Sequence, residues 1–192
     1  MKAFIFGIIV AVIAIAAGVY FYFDTGTAPV ATSAQAMPFE RMLAKKAQHA
    51  RIDKEMPKTV PVTADDASYT AGAQIYRDNC AVCHGLPNQP KGAIASGEFP
   101  PPPQLFQGKG VTDDPAGETY WKAENGLRLT GMPGFGKSLS TTQLWQVSLL
   151  LANADKLPAS VQQILAAPLQ APPAQPAPTE APAPKRRSRR RG

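Results

Sequence analysis

Both cysteines of this 192-residue chain, and one of its two histidines, fall within five consecutive residues, Cys80-Ala81-Val82-Cys83-His84. Two thiols on one turn of backbone, with an imidazole beside them, is the spacing that attaches a haem. The thiols form thioethers with the porphyrin vinyl groups and the histidine reaches the iron. A redox-active disulfide calls for a strand-to-helix context in a βαβ unit, and no alternating strand pattern precedes Cys80. A structural zinc site needs four nitrogen or sulfur ligands, and only His49, in a linker, would remain. A plain Cys80–Cys83 disulfide closes too short a loop to add much stability. Covalent haem attachment is the reading these residues favour.

The rest of the chain bounds what surrounds that site. Its 20 prolines cluster in a few places, so the packed part is one small domain with appendages. The formal charge of +6 is matched by Lys185, Arg186, Arg187, Arg189, Arg190 and Arg191 alone. The high pI is thus a property of the tail, and no nucleic-acid-binding surface is expected on the domain.

Residues 4–23 contain neither charge nor proline. As a helix rising about 1.5 Å per residue they match a hydrocarbon core of roughly 30 Å, and Tyr20, Phe21, Tyr22 and Phe23 gather at one end like an interfacial aromatic belt. A cleaved signal peptide has a shorter apolar run with a small-x-small site close behind, whereas Ala34-Gln35-Ala36 lies well past it. Residues 1–23 therefore read as an uncleaved single-pass anchor, with the amino terminus inside.

Residues 24–68 read as a linker rich in small residues. One amphipathic stretch, residues 39–56, places Phe39, Met42, Leu43, Ala47 and Ala50 at helical spacing among Arg41, Lys45, Lys46, Arg51 and Lys54. It reads as a solvated helix or as a docking or membrane-surface helix, with His49 on the surface. A fully flexible linker of this length has a mean reach of roughly 40 Å.

Residues 69–157 read as the domain, and as mostly α-helical. An opening helix over 70–80 delivers the cysteines, with Ala73, Ile75 and Tyr76 as apolar contacts and Gly72 leaving room for a close helix. Residues 85–103 form a loop, because Pro100 to Pro103 forbid both helix and interior strand. A middle helix is punctuated by Asp114 as N-cap, Pro115 at its first position and Gly126 past its end. In the last helix Ser140 and Gln143 make a capping box ahead of a stripe of Leu144, Val147 and Leu151.

A domain this small buries only a modest core from its own side chains, and a covalent haem would fill that deficit. Trp121, Trp145, Phe106 and Phe135 then read as core or haem-wall packing. Histidine takes one axial position. Met132, in Thr130-Gly131-Met132-Pro133-Gly134-Phe135, is the candidate for the other, since Met37, Met42 and Met56 precede the domain.

Ile75-Tyr76 leading into Cys80-Ala81-Val82-Cys83-His84-Gly85, then Tyr120-Trp121, Asn125-Gly126-Leu127-Arg128 and Gly131-Met132-Pro133-Gly134-Phe135, resemble a class I cytochrome c. The likeness is to bacterial membrane-anchored monohaem members, and it covers residues 69–157. It implies an all-α cytochrome c fold with first and last helices crossing around one covalent haem c. It implies that Cys80 and Cys83 hold the porphyrin and that His84 and Met132 are the axial ligands. The proximal histidine's ring N–H would be received by Pro101, Pro102 or Pro103. The resemblance also places the domain on the outer, periplasmic side of the cytoplasmic membrane, facing redox partners in the membrane or periplasm.

Residues 158–192 read as a disordered proline- and alanine-rich tail ending in KRRSRRRG, a solvated tip or a contact for an acidic partner or anionic lipid. Together these readings describe a non-enzymatic one-electron carrier tethered to the membrane, and the resemblance implies as its circuit a respiratory chain between a quinol-oxidising complex or dehydrogenase and a terminal oxidase. Two alternatives stand beside it: a permanent haem subunit of a larger membrane complex, and a haem sensor or enzyme with a labile sixth ligand.

Overall fold

The computed structural model describes residues 1–168, and among them every regular element is a helix. The expected all-α class holds. In chain order the helices are α1 (Lys2–Asp24), α2 (Glu40–Glu55), α3 (Asp66–Asn79), α4 (Ala81–His84), α5 (Ala93–Gly97), α6 (Ala116–Asn125), α7 (Thr141–Ala152) and α8 (Ala159–Ala166).

Helix α1 buries none of its side chains against the protein. At 23 residues it is about 35 Å long and apolar enough to cross a membrane.

The domain is built on α3 and α7. The Asp65 carboxylate caps α3, accepting from the Ser68 N–H at 2.8 Å. That bond favours the ionised acid, and the Asp65 pKa lies below its ordinary value. Helix α7 opens with the expected capping box, Ser140 Oγ accepting from the Gln143 N–H and Gln143 Oε1 from the Ser140 N–H. Gly72 is where the two helices meet: a Cβ there would stand 2.4 Å from the Gln146 carbonyl oxygen and 3.1 Å from Leu150 Cβ. No larger residue fits without separating the backbones. Around this contact Ala73, Tyr76, Val147, Leu150 and Leu151 are buried. A second cluster sits between α6 and α7, where Tyr120 and Trp145 stack with centroids 4.4 Å apart.

Residues 85–103, read as a loop, contain the five-residue helix α5, and three further details differ from the sequence reading. Helix α6 begins at Ala116 with Pro115 as its cap residue, ψ 135°, and no side-chain cap. Asp114 instead closes a turn, its N–H bonded to the Val111 carbonyl at 3.2 Å. On α2 the proposed apolar residues Phe39, Met42 and Leu43 are exposed, and Ile52, at 1% exposure, is the one buried side chain. The stripe therefore faces outward and the helix is docked by its last turns.

The third difference is α8, within a stretch read as spacer. Leu157, Val161 and Leu165, four residues apart, are all buried in the core cluster that holds residues of α3 and α7, and α8 packs on α3. Arg77 of α3 reaches the end of α8 and donates to the carbonyls of Ile164, at 2.9 Å, Pro168, at 3.0 Å, and Ala167. A guanidinium there answers the unpaired carbonyls and negative dipole end of a helix C-terminus. The basic tip and the rest of the expected tail lie outside the described residues.

Candidate haem site

The Cys-x-x-Cys-His stretch is itself a helical turn. Cys80 ends α3, its N–H bonded to the Tyr76 carbonyl at 2.8 Å, and its own carbonyl accepts from the N–H groups of Cys83 and His84 at 3.1 and 2.9 Å. Gly85 then ends α4 with φ +73°. Tyr76, fully buried and edge-on to Phe106, donates through its hydroxyl to the Gly85 carbonyl at 2.6 Å. The motif is thus fastened to the α3 core at both ends.

His84 Nδ1 lies 2.8 Å from the Pro103 carbonyl oxygen. A carbonyl only accepts, so Nδ1 carries the proton and Nε2 keeps its lone pair. Of the three prolines left open by the sequence, Pro103 is the one in contact. Burial lowers the His84 pKa, with the Pro103 bond opposing, and the imidazole stays neutral at pH 7.

Met132 comes from the loop between α6 and α7. That loop folds back on the end of α6: Phe135 and Gly136 donate to the Ala123 and Glu124 carbonyls at 2.8 and 3.0 Å, and Leu127 donates to the Met132 carbonyl at 3.1 Å. Gly126, at φ +70°, permits this, since a Cβ there would stand 2.5 Å from Gly134 N. Thr130 Oγ1 accepts from the Met132 N–H at 3.1 Å and donates to the Leu127 carbonyl at 2.7 Å.

These pieces enclose one cleft of about 460 Å³, lined by Cys80, Cys83, His84 and Met132 together with Leu151 and Phe135. Pro100 to Pro103 form part of its wall. The four residues singled out in the sequence come from two separate segments, the Cys80–His84 turn and the α6–α7 loop, and line one cavity. His49 does not line it and is exposed; Met37, Met42 and Met56 are likewise absent from its walls.

The donor set fits a c-type haem. Both thiols are free. Burial pushes the Cys80 thiol up to about 12, and the Cys83 thiol is raised by burial and by its bond to Glu98 Oε1 at 3.3 Å. A redox-active Cys-x-x-Cys pair lowers its attacking thiol instead. A neutral imidazole with a free Nε2 and a thioether, facing an apolar cavity, are the soft and borderline donors that haem iron takes. Glu98 is one lining residue that the sequence reading did not single out; its position in the long loop carries no local signal.

Fold and site together define residues 67–149 as a class I c-type cytochrome domain. Those residues match the family described as cytochrome c oxidase, cbb3-type, subunit III. A quinohemoprotein alcohol dehydrogenase, ADH IIB, of Pseudomonas putida is 30% identical over 95 residues, covering 50% of this chain and 12% of that enzyme. No solved structure matches the chain. The domain is that of a haem-based electron carrier, and its family implies haem c and redox partners.

Proposed function

We propose that this chain is a one-electron carrier tethered to the cytoplasmic membrane through residues 4–23, with one haem bound covalently to Cys80 and Cys83. His84, through Nε2, and Met132, through its thioether, would hold the iron. The convergence of these four residues on one cleft is the observation that carries the reading. Bound haem supplies a ferrous–ferric couple, which a thioether ligand biases toward the ferrous state and a higher potential.

The protein's part is to hold that couple still. Pro103 keeps the His84 ring oriented and its Nε2 deprotonated. The Thr130 hydroxyl and the returning loop position the Met132 backbone. Two side-chain ligands leave no coordination site for a substrate, and the apolar cleft walls keep water from reorganising around the centre. The domain works on the outer side of the membrane, in a respiratory chain, where tethering raises its concentration near membrane donors and acceptors.

The test is the visible spectrum of the reduced, purified protein before and after carbon monoxide. An unchanged low-spin spectrum is expected, with rapid carbon monoxide binding in Met132→Ala. Complete binding by the wild type would replace the carrier with a sensor or enzyme whose sixth site is labile.

The match to a subunit family favours a second reading, a permanent haem subunit of a larger membrane complex. Stoichiometric partners retained in mild detergent would select it over a shuttle.

A further inference from the structure

Helix α2 precedes the stretch that matches the cytochrome family, yet it is fastened across the cofactor cleft. Near its end Ile52 is buried, and the Trp121 indole N–H of α6 donates to Glu55 Oε2 at 3.3 Å. Just beyond, the Pro57 carbonyl lies against Gly117 of α6, where a Cβ would stand 2.0 Å from that oxygen. At its start the Arg41 guanidinium sits 5.5 Å from the centroid of the Phe99 ring, in the loop that leads into the proline wall. Between these attachments Lys45 and Gln48 line the same cavity as the two cysteines, His84 and Met132.

A cleft that takes a haem must also meet the two carboxylates on the macrocycle, because an ionised carboxylate without a cation or donor is costly away from bulk water. Two lysines line this cleft, Lys45 and Lys122. Lys122 is already engaged, its Nζ 2.5 Å from Glu118 Oε1 and 4.0 Å from Asp114 Oδ2. Lys45 forms no ion pair with any described residue. Gln48, three residues on, shares its helix face and adds an amide donor. Glu98, the acid in the cleft wall, accepts from the free Cys83 thiol; once that sulfur is a thioether its carboxylate competes for Lys45, and a bridge to the peptide carrying Glu98 is told apart by mass.

We propose that α2 belongs to the cofactor site, its Lys45 and Gln48 taking a carboxylate of the haem bound in the cleft. This rests on the haem reading above and extends it to a helix outside the matched domain. One consequence concerns the tether. With α2 pinned to the cleft by its own cofactor, the free length between α1 and the domain is residues 25–39 rather than the whole of 24–68. A bound haem then holds the domain closer to the membrane than the linker's length alone would dictate.

The experiment uses the full-length holoprotein in detergent. A water-soluble carbodiimide joins a carboxylate and an amine in contact as an amide, and digestion followed by mass spectrometry locates the bridge. The expected product is the haem-bearing peptide of residues 80–84 linked to the peptide carrying Lys45. It disappears in Lys45→Gln and persists in Lys46→Gln, whose lysine does not line the cleft. In parallel, amide exchange over residues 40–55 should rise about tenfold in Lys45→Gln and stay unchanged in Lys46→Gln. Absence of a bridge at Lys45 while haem is attached, or equal exchange in the two variants, overturns the proposal. A peptide of residues 80–84 without haem mass is a different failure, and it overturns the functional reading itself.

Discussion

Helices α2 and α8 flank the cytochrome domain on either side in sequence, and they are held in opposite ways. Helix α8 is short, eight residues, but Val161 and Leu165 are fully buried and Arg77 closes its end. Helix α2 has 16 residues and one buried side chain, Ile52, with Arg41 and Glu55 making polar contacts at or near the surface and Lys45 and Gln48 lining the cleft. Length does not decide which helix is structural. Area removed from water does, at roughly 25 cal/mol per Å² of apolar surface. On this comparison α8 is expected to unfold with the domain, and α2 to open before it, the more readily where no cofactor pins it.

The strongest way to break the comparison is Leu165→Ala. Deleting a fully buried leucine leaves a cavity in the cluster shared by α3, α7 and α8, and the expected cost is about 3 kcal/mol of global stability, measured by denaturant unfolding of the holoprotein. A loss confined to exchange of residues 159–166, with an unchanged midpoint, would mean that α8 is an appendage. Ile52→Ala should show the reverse pattern. About 2 kcal/mol of docking is lost, read as faster amide exchange over residues 40–55, while the denaturation midpoint of the domain stays in place. Arg77→Gln comes next, at about 1 to 2 kcal/mol, because the carbonyls it serves are near the surface and water replaces part of what is lost.

The same contrast explains what could be read in advance. The backbone of the Cys80–His84 turn and of the Met132 loop was legible because each is a local constraint, two thiols and a ring on one turn, or glycines where a loop must double back on α6. The capping box of α7 and the close approach at Gly72 were legible for the same reason. Helix α8 was hidden by composition: proline and alanine dominate residues 158–184, and the spacing of Leu157, Val161 and Leu165 straddles the point where that composition begins. On α2 the most regular apolar spacing faces outward, and Ile52 falls outside it. Pro103 was one of three prolines with identical local preferences, and only the placement of the His84 ring selects it. Lys45 and Gln48 enter the cleft through the docking of α2 on α6, a contact that no local pattern encodes.

The smallest expected effect tests the claim about α2 most sharply. Glu55 has two partners, the Trp121 indole N–H at 3.3 Å and the Arg51 guanidinium at 2.7 Å, and the Arg51 side chain is 64% exposed. Glu55→Gln keeps an oxygen that accepts from the indole and removes the charge that attracts Arg51. An exposed i,i+4 pair contributes about 0.3 to 0.5 kcal/mol, so exchange over residues 40–55 should rise by no more than about twofold. That rise should shrink as salt is added, because screening weakens the pair in the wild type as well. If Glu55→Gln instead frees the helix as fully as Ile52→Ala, the strap is held by charge. Its docking would then follow ionic strength, and the length of chain free between α1 and the domain would change with salt.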